Sequence, residues 1–208
     1  SDYLFADQAE INNHPTQLIG GTVGPGDIKY VNQPNVYGVY DDVIDTNDRV
    51  PIGNPTTPEI VYGFGPSFHY KGFDFSFFFQ GIAKTSLFMS GLQPFGTTMD
   101  NKNVQTFIAE DHWSPDNQNI FAKYPRLTIE RSANNATTSP YWERDGAFLK
   151  LKNAEIGYTF KSMRFYLRGS NLLTFSKFKL WDPEMGGGKG MAYPTQRTFN
   201  LGVQITFK

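Results

Sequence analysis

The clearest pattern of hydrophobic and polar positions lies in residues 72–81, which read GFDFSFFFQG. Phenylalanine recurs at every second position, at Phe73, Phe75, Phe77 and Phe79, and the positions between them are polar apart from Phe78. Because alternate side chains of a β-strand point to opposite faces, the pattern predicts a strand with one aromatic face and one mostly polar face. The aromatic face then lies against a second sheet or against lipid.

Similar alternation predicts further strands on both sides of this one. A tight turn at Lys71-Gly72 connects it to the alternating segment before it, so residues 59–83 read as a β-hairpin. Strands are also predicted over residues 146–160 and 163–175, joined by a short turn. The alternation changes phase near Lys152-Asn153, which predicts a β-bulge there.

The last segment, residues 197–208, alternates most cleanly of all. Its apolar face consists of Phe199, Leu201, Val203, Ile205 and Phe207, and the residues between them are Asn, Gly, Gln and Thr. This pattern predicts a fifth strand with one apolar and one polar face.

Long stretches without a strand pattern separate these strands. Residues 1–58 are dense in Gly, Pro, Asn and Asp and read as loop, and residues 84–145 contain no convincing strand pair. Within the second stretch, residues 103–113 have apolar positions at helical spacing. The short turns therefore fall on one side of the predicted sheet and the long connections on the other. That asymmetry is unusual in a compact soluble domain but typical of outer-membrane barrels.

Composition narrows the classes of function. The chain has 19 basic and 20 acidic residues, so its charge gives no reason to expect a nucleic-acid partner. It has no cysteine, which excludes disulfides, thiol catalysis and cysteine-ligated metals. No apolar run approaches the roughly 18–20 residues of a membrane-spanning helix, whereas the strands of a membrane barrel are apolar on one face only.

Motifs of catalysis are missing from the sequence. It contains no G-x-S-x-G nucleophile motif, and its three histidines are scattered. The glycine run Gly186–Gly190 lacks the G-x-x-x-x-G-K-[ST] pattern of a phosphate loop and is interpreted as an outer loop. We therefore predict that the protein is not an enzyme.

Several motifs resemble those of one protein family. Residues 141–160 read YWERDGAFLKLKNAEIGYTF, and NLLTFSKFKLWDPE and YPTQRTFNLGVQITFK follow in that order. Near the start, PGDIKY precedes an acidic segment, YDDVIDTNDR, and then IGNP. This series closely resembles the SusC/RagA-type TonB-linked outer-membrane transporters, and the resemblance covers nearly the whole chain.

The resemblance implies an all-β fold and a place in the outer membrane of a Gram-negative bacterium. The chain would form the last five antiparallel strands of a barrel of about 22 strands with long extracellular loops. Residues 1–58 would be an extracellular loop region, 59–83 a barrel hairpin, 84–145 a long extracellular loop, and 146–208 three strands with one loop. The plug, the TonB-contacting segment and the signal sequence would lie upstream.

The same resemblance implies partners and a surface in lipid. A SusD-like surface lipoprotein would bind the outer loops, TonB would act through the upstream part, and the cargo would be a glycan or a peptide. The expected lipid-facing residues are Phe73, Phe75, Phe77, Phe79, Phe199, Leu201, Val203 and Ile205. The alternative is a soluble, aromatic-rich β-sandwich that binds carbohydrate and buries the phenylalanine face against a second sheet.

The acidic segment is the best candidate for a metal site. In the family it looks like a calcium loop, and Asp41, Asp45 and Asp48 match its ligand positions. Asp42 replaces the turn glycine, and the two earlier donor positions hold Tyr37 and Val39. A solvated acidic loop is the alternative interpretation.

The candidates for substrate contact are four aromatic residues on the predicted outer loops, Trp113, Tyr141, Trp142 and Trp181. In the alternative interpretation they pack the loops together or line the membrane interface.

Overall fold

The computed structural model describes residues 3–91, 103–129 and 132–207. Parts of the predicted loops 1–58 and 84–145, and Lys208 at the end of the last predicted strand, lie outside these ranges. The fold is mostly strand with few helices, so the all-β prediction is confirmed. The chain divides into two compact units, one of Ser1–Ile52 with Met89–Glu143 and the other of Gly53–Phe88 with Arg144–Lys208.

The first unit, called the loop unit below, is built from short elements. Its helices are α1 (Gln8–Asn12), α2 (Thr106–Glu110) and α3 (Ala133–Ala136). Two strands, β1 (Thr16–Gln17) and β2 (Val43–Ile44), pair in parallel. The helical spacing over residues 103–113 corresponds to α2, and 3-10 turns cover Thr46–Asp48 and Pro140–Trp142.

A buried ion pair organises the interior of the loop unit. The Arg126 guanidinium donates to both oxygens of Asp27, from Nε at 2.6 Å and from Nη2 at 2.8 Å. Asp27 is fully buried and also accepts from the Asn135 side chain at 2.7 Å and from the Gly24 amide at 2.8 Å. Every acceptor site of this carboxylate is therefore engaged, as burial of a charge requires.

The second unit, called the sheet unit, holds one large antiparallel sheet. Its strands are β3 (Ile60–Phe64), β4 (Ser67–Tyr70), β5 (Phe73–Ala83), β6 (Ser86–Phe88), β7 (Glu143–Asp145), β8 (Phe148–Phe160), β9 (Met163–Ser176) and β10 (Thr198–Ile205). In the large sheet the order is β10-β9-β8-β5-β3, and β4 also pairs with β5. β6 and β7 form a separate pair, and a 3-10 turn covers Pro183–Met185.

Turns and one bulge fix the register of the large sheet. Lys71 and Gly72 both have positive φ, 46° and 86°, as in a tight two-residue hairpin turn. The predicted bulge is confirmed, because the pairing of β8 with β9 shifts between Leu151 and Asn153. Gly65 and Pro66 divide the first predicted strand into β3 and β4, which pair with successive parts of β5.

Both short turns lie at the same end of the sheet. Tyr70 and Phe73 pair with each other across the first turn, and Phe160 and Met163 pair across the second. Phe73 also pairs with Tyr158, so the two turns are neighbours in the sheet. In the described parts of the chain, no helix is both long enough and apolar enough to span a membrane.

Candidate functional site

One face of the large sheet is apolar across all of its strands. In the register, Phe73, Phe75, Phe77 and Phe79 lie opposite Tyr158, Ile156, Ala154 and Leu151 of β8. Those four β8 residues in turn lie opposite Phe165, Leu167, Gly169 and Leu173 of β9. On the neighbouring strand β10, the same face consists of Phe199, Leu201, Val203 and Ile205. The eight residues expected to face lipid therefore belong to one face.

Most of this apolar face is exposed, although Phe77 and Phe79 are half-buried. Leu201 is 84% exposed, and Phe199, Val203 and Ile205 are exposed as well. The aromatic rings contact one another along the surface: Phe73 and Tyr158 have centroids 4.5 Å apart, and those of Phe77 and Phe79 are 5.6 Å apart. A contiguous exposed apolar patch marks an interaction surface, for protein or for membrane.

The opposite face of the sheet is polar and contains an ion-pair cluster. Arg164 on β9 donates to both carboxylate oxygens of Asp74 on β5, with Nε at 2.9 Å from Oδ2. The same guanidinium donates to Glu155 Oε1 at 2.6 Å and lies over the ring of Tyr166 at 5.2 Å from its centroid. The cluster joins three neighbouring strands, β5, β8 and β9, on the face away from the apolar surface.

Phe78 is the aromatic exception on the polar face, and β3 accommodates it. A Cβ at Gly63 would lie 2.9 Å from the Phe78 ring, and one at Gly65 would lie 3.0 Å from it. The ring therefore lies over two glycines of the neighbouring chain segment, a device by which an aromatic side chain covers glycine in a sheet. The phase of β5 stays intact through this residue because the bulge lies on β8.

A second ion cluster holds the connection between β9 and β10 against β8. Lys150 is only 1% exposed, and its Nζ donates to Asp182 Oδ2 at 2.5 Å and to Glu184 Oε2 at 2.7 Å. Lys152 donates to the other oxygen of Glu184 at 2.7 Å. Burial, the largest single influence, would raise the pKa of Asp182 and of Glu184, but the hydrogen bonds that both carboxylates accept and the lysine charges beside them together outweigh it and lower both pKa values.

Trp181 lies in the same connection and packs locally. Its indole Nε1 donates to the Gly186 carbonyl oxygen at 2.9 Å, and its ring meets Phe178 edge to face at 4.6 Å. A Cβ at Gly190 would lie 2.4 Å from this indole, so the loop glycine permits the close approach. Contact between Trp181 and a substrate stays a prediction.

The other three aromatic candidates belong to the loop unit. Trp113 and Trp142 are each 6% exposed, and the Trp142 indole donates to the Asn135 carbonyl oxygen at 2.7 Å. Tyr141 donates its hydroxyl to the Ala122 carbonyl oxygen at 2.7 Å. This geometry is that of residues that pack the loops together, and their contact with a substrate stays a prediction.

The acidic segment is held by hydrogen bonds within the loop unit. Asp48 accepts from the Gln33 amide at 2.6 Å and from the Asp45 amide at 2.7 Å, and Asp45 accepts from the Asn47 amide at 2.6 Å. Asp42, which stands in place of the family glycine, has a positive φ of 58°. Asp42 therefore adopts the left-handed backbone conformation that usually favours glycine.

The residues present do not complete a calcium coordination sphere. Calcium takes about 6–8 oxygen ligands, whereas two of the expected donor positions hold Tyr37 and Val39. Within the described ranges, no group of three or more Asp, Glu, His or Cys residues is placed to hold a metal ion. The carboxylates of Asp45 and Asp48 serve the backbone amides instead, which favours the interpretation of a solvated acidic loop.

A half-open pocket of about 670 Å³ lies beside the acidic segment in the loop unit. Aliphatic residues such as Leu18 and Ile44 line it together with Arg49 and Tyr30. Burial raises the pKa of Tyr30 to about 12, so its hydroxyl is a neutral donor, and it donates to the Asn134 carbonyl oxygen at 2.8 Å. The pocket thus combines an apolar wall with a polar rim.

Sequence reasoning missed the ion pairs that join distant parts of the chain. Asp27 and Arg126 are 99 positions apart, and Lys150 and Asp182 are 32 apart. Asp182 belongs to the WDPE motif, so the sequence drew attention to this segment. Its ion-pair partner, Lys150, could not be predicted from residue spacing.

An antiparallel sheet with one exposed apolar face and one charged face is the kind of surface that membrane-spanning strands present. No family model matches the chain. It is 31% identical over 191 residues to TonB-dependent receptor P26 of Formosa agariphila, a match that covers 80% of this chain and 19% of that protein. It is 25% identical over 176 residues to TonB-dependent receptor SusC of Bacteroides thetaiotaomicron, covering 79% of this chain and 16% of that protein.

Solved structures share the fold. The RagAB peptide importer in its open-open state matches with a TM-score of 0.63 at 24% identity, covering 85% of this chain and 20% of that chain. Its closed-closed state matches with the same TM-score over 84% of this chain. The chain belongs to the SusC/RagA-type TonB-dependent receptors, and it spans about a fifth of the length of the relatives that it matches.

Proposed function

We propose that this chain forms part of the membrane wall and outer loops of a TonB-dependent outer-membrane transporter in a Gram-negative bacterium. The sheet unit contributes five strands, with β3 and β4 as one interrupted strand, to a barrel of about 22 strands. The rest of the barrel, the plug and the TonB contact come from other parts of the protein. The observation that supports this most is the continuous exposed apolar face of the sheet.

Lipid is the medium that suits this face. Phe73, Phe75, Phe77, Phe79, Phe199, Leu201, Val203 and Ile205 lie outward, and Asp74, Glu155 and Arg164 face a wet lumen. β3 and β10 end the strand order of the described sheet, and an unpaired strand edge in lipid leaves backbone groups without partners. Both edges therefore pair with neighbouring strands of the same barrel.

The cargo is a glycan oligosaccharide or a peptide, taken up together with a SusD-like surface lipoprotein. Support for a peptide cargo comes from the similarity to the RagAB peptide importer, whereas the glycan cargo and the lipoprotein partner are what the resemblance to the SusC/RagA-type transporters implies. Trp181 and Tyr141 remain the candidates for loop contact with the cargo, together with Trp113 and Trp142 if the loops open.

The direct test compares two neighbouring residues on opposite faces of β10. Leu201→Arg places a charge in lipid and costs about 2–4 kcal/mol near the middle of the membrane, whereas Asn200→Arg places the same charge in the lumen. In the full-length receptor, we expect Leu201→Arg to lower the amount of heat-modifiable barrel in the outer-membrane fraction and Asn200→Arg to leave it near the parent level.

Equal effects of the two substitutions would contradict the proposed orientation. The sandwich alternative has its own test, because a β-sandwich of these 208 residues would fold alone as a detergent-free monomer.

For transport, uptake of labelled oligosaccharides and of labelled peptides is compared in cells with and without TonB. Uptake of neither class, or uptake that does not need TonB, would refute the transport function.

A further inference from the structure

Two consecutive asparagines connect the two stretches of chain that form the loop unit. The first stretch is Ser1–Ile52 and the second is Met89–Glu143. The buried Ile28 of the first stretch donates its amide to the Asn135 side-chain oxygen, and its carbonyl oxygen accepts from the Asn134 side chain, both at 2.9 Å. These two side chains, the asparagine latch, therefore bond Ile28 as a neighbouring strand would in a sheet.

Gln17 extends the latch further into the first stretch. Its side-chain nitrogen donates to Asn134 Oδ1 at 2.8 Å, and its side-chain oxygen accepts from the Tyr30 amide at 2.6 Å. The Tyr30 hydroxyl in turn donates to the Asn134 carbonyl oxygen at 2.8 Å. All of these side chains are buried, and a buried polar network is stable only while its members are paired. A partial separation of the two stretches is therefore costly.

A buried charge lies in the same junction. Asp27 directly precedes Ile28 and is fully buried, and both of its side-chain partners, Arg126 and Asn135, belong to the second stretch. A buried ion that loses its partner is left uncompensated. Separation of the stretches would take the guanidinium and the amide away from Asp27 together.

Two of the aromatic candidates for cargo contact are built into this junction. Trp113 of the second stretch lies against Gly26 of the first, where φ is +82° and a Cβ would lie 2.3 Å from the indole. Trp142 donates to the carbonyl oxygen of Asn135, so it supports the latch from behind. Both indoles are buried, and cargo could reach them only if the junction opened.

We propose that the asparagine latch and the Asp27–Arg126 pair keep the two stretches joined throughout import, so that the loop unit behaves as one rigid body and cargo does not pass between its stretches. Trp113 and Trp142 then hold the junction and do not contact cargo, which leaves Tyr141 and Trp181 as the aromatic candidates. The inference rests on the proposed function, because it concerns a step of import.

The first experiment joins the two stretches covalently in the full-length receptor. Tyr3 and Phe121 meet across the junction with ring centroids 4.8 Å apart, and beside them the Leu4 amide donates to the Ile120 carbonyl oxygen at 3.2 Å. Tyr3→Cys and Phe121→Cys are combined in a chain that has no cysteine of its own. Dibromobimane, a short reagent that fluoresces once it has alkylated two thiols, then links the two positions in the outer membrane. Each single-cysteine variant, treated in the same way, is the matched control.

We expect the double variant to form the fluorescent cross-link and to lose none of its TonB-dependent uptake of labelled peptides or oligosaccharides. Loss of uptake on cross-linking, at an unchanged outer-membrane level and without loss in the controls, would show that the stretches must separate. A double variant that reaches the outer membrane but forms no cross-link would show that they are already apart. Either result overturns the proposal.

The second experiment needs no cysteine. Acrylamide quenching of Trp113 fluorescence, taken as the difference between the parent receptor and Trp113→Phe, is measured with and without the labelled cargo that cells take up. We expect weak quenching that cargo does not change, because the indole stays covered. Stronger quenching in the presence of cargo would mean that the junction opens. If parent cells take up neither class of cargo, the transport function fails, while the cross-link still reports on the junction.

Discussion

At the residue scale, a missing side chain makes the charge cluster on the polar face possible. A Cβ at Gly157 would lie 2.5 Å from Asp74 Oδ2 and 2.6 Å from Arg164 Nη2. Only glycine therefore leaves space for the bidentate contact between the arginine fork and the carboxylate, a geometry that strengthens both hydrogen bonds. The contact joins β5 to β9 across the intervening strand β8.

Two arginines four positions apart on β9 test the contribution of this cluster. Arg164 bonds Asp74 and Glu155, whereas Arg168 forms no ion pair with a described residue. We expect Arg164→Gln to lower the free energy of unfolding by about 1–2 kcal/mol because it leaves two carboxylates without their partner, and Arg168→Gln to change it little. Urea unfolding of the full-length receptor in lipid vesicles measures both. Similar losses for the two variants would show that the cluster does not stabilise the sheet.

Single residues also mark the limit of prediction from sequence. The alternation placed Leu201 and Phe73 on the same face because the period of two along a strand is a local property. Asp74 and Arg164 are 90 positions apart, and their contact depends on the sheet register. Asp42 was recognisable as a replaced glycine, and its φ of 58° agrees with that position in the turn.

At the element scale, Lys150 anchors the connection between β9 and β10. Removing its charge by Lys150→Met leaves Asp182 and Glu184 without a buried partner, and we expect a loss of about 3 kcal/mol together with faster hydrogen exchange across residues 177–197. Lys152→Met is the matched control. The Lys152 side chain makes a single contact with Glu184, and it is more exposed than the Lys150 side chain. Equal exchange in both variants would mean that Lys150 does not hold the connection.

The same anchor has a defined dependence on pH. The pKa values of Asp182 and Glu184 are lowered in the folded protein from ordinary values of 3.8 and 4.5. Their stabilisation is therefore fully present above about pH 4.5 and is lost as the pH falls through the folded pKa values. We expect the Trp181 fluorescence, taken as the difference between the parent and Trp181→Phe, to stay constant from pH 8 to about pH 5 and to change below about pH 4. A change near neutral pH would contradict this assignment.

Elements differ in how far the sequence predicts them. The long strands β5, β8, β9 and β10 follow the predicted ranges closely, since alternation over eight or more residues is a strong signal. In the loop unit the strands have two residues and the helices four or five, which is too short for any period to emerge. Residues 1–58 consequently read as loop although they contain α1, β1 and β2.

At the scale of the whole molecule, two distant stretches fold into one unit. Residues of the first stretch and of the second share the Asp27 and Arg126 ion pair, whose guanidinium pKa is raised by its hydrogen bonds to the carboxylate. Composition showed two separate loops because the buried apolar residues of the unit, such as Leu4, Phe5 and Ile28, are spread over short irregular segments that give almost no hydrophobic period.

Because the chain divides into two compact units, we expect a substitution inside the loop unit to destabilise that unit more than the sheet unit. Asp27→Asn removes the charge that balances Arg126, and we expect it to destabilise the loop unit by about 3 kcal/mol while the barrel keeps its heat-modifiable mobility on electrophoresis. Fluorescence of the buried Trp113 and Trp142 reports the unfolding of the loop unit. Asp111→Asn, which breaks the exposed pair with Lys123 at 3.0 Å, is the control and costs less than about 1 kcal/mol. Loss of the barrel in Asp27→Asn would show that the units do not fold separately.

The alternation that creates the apolar face also sets when that face can exist. Read along the chain, every phenylalanine of residues 72–81 has a polar residue or a second ring beside it, and the mean hydropathy of the chain is −0.43. An unfolded chain with this alternation therefore has no continuous apolar run here. The apolar surface comes into being only when pairing of the strands sorts the side chains by face.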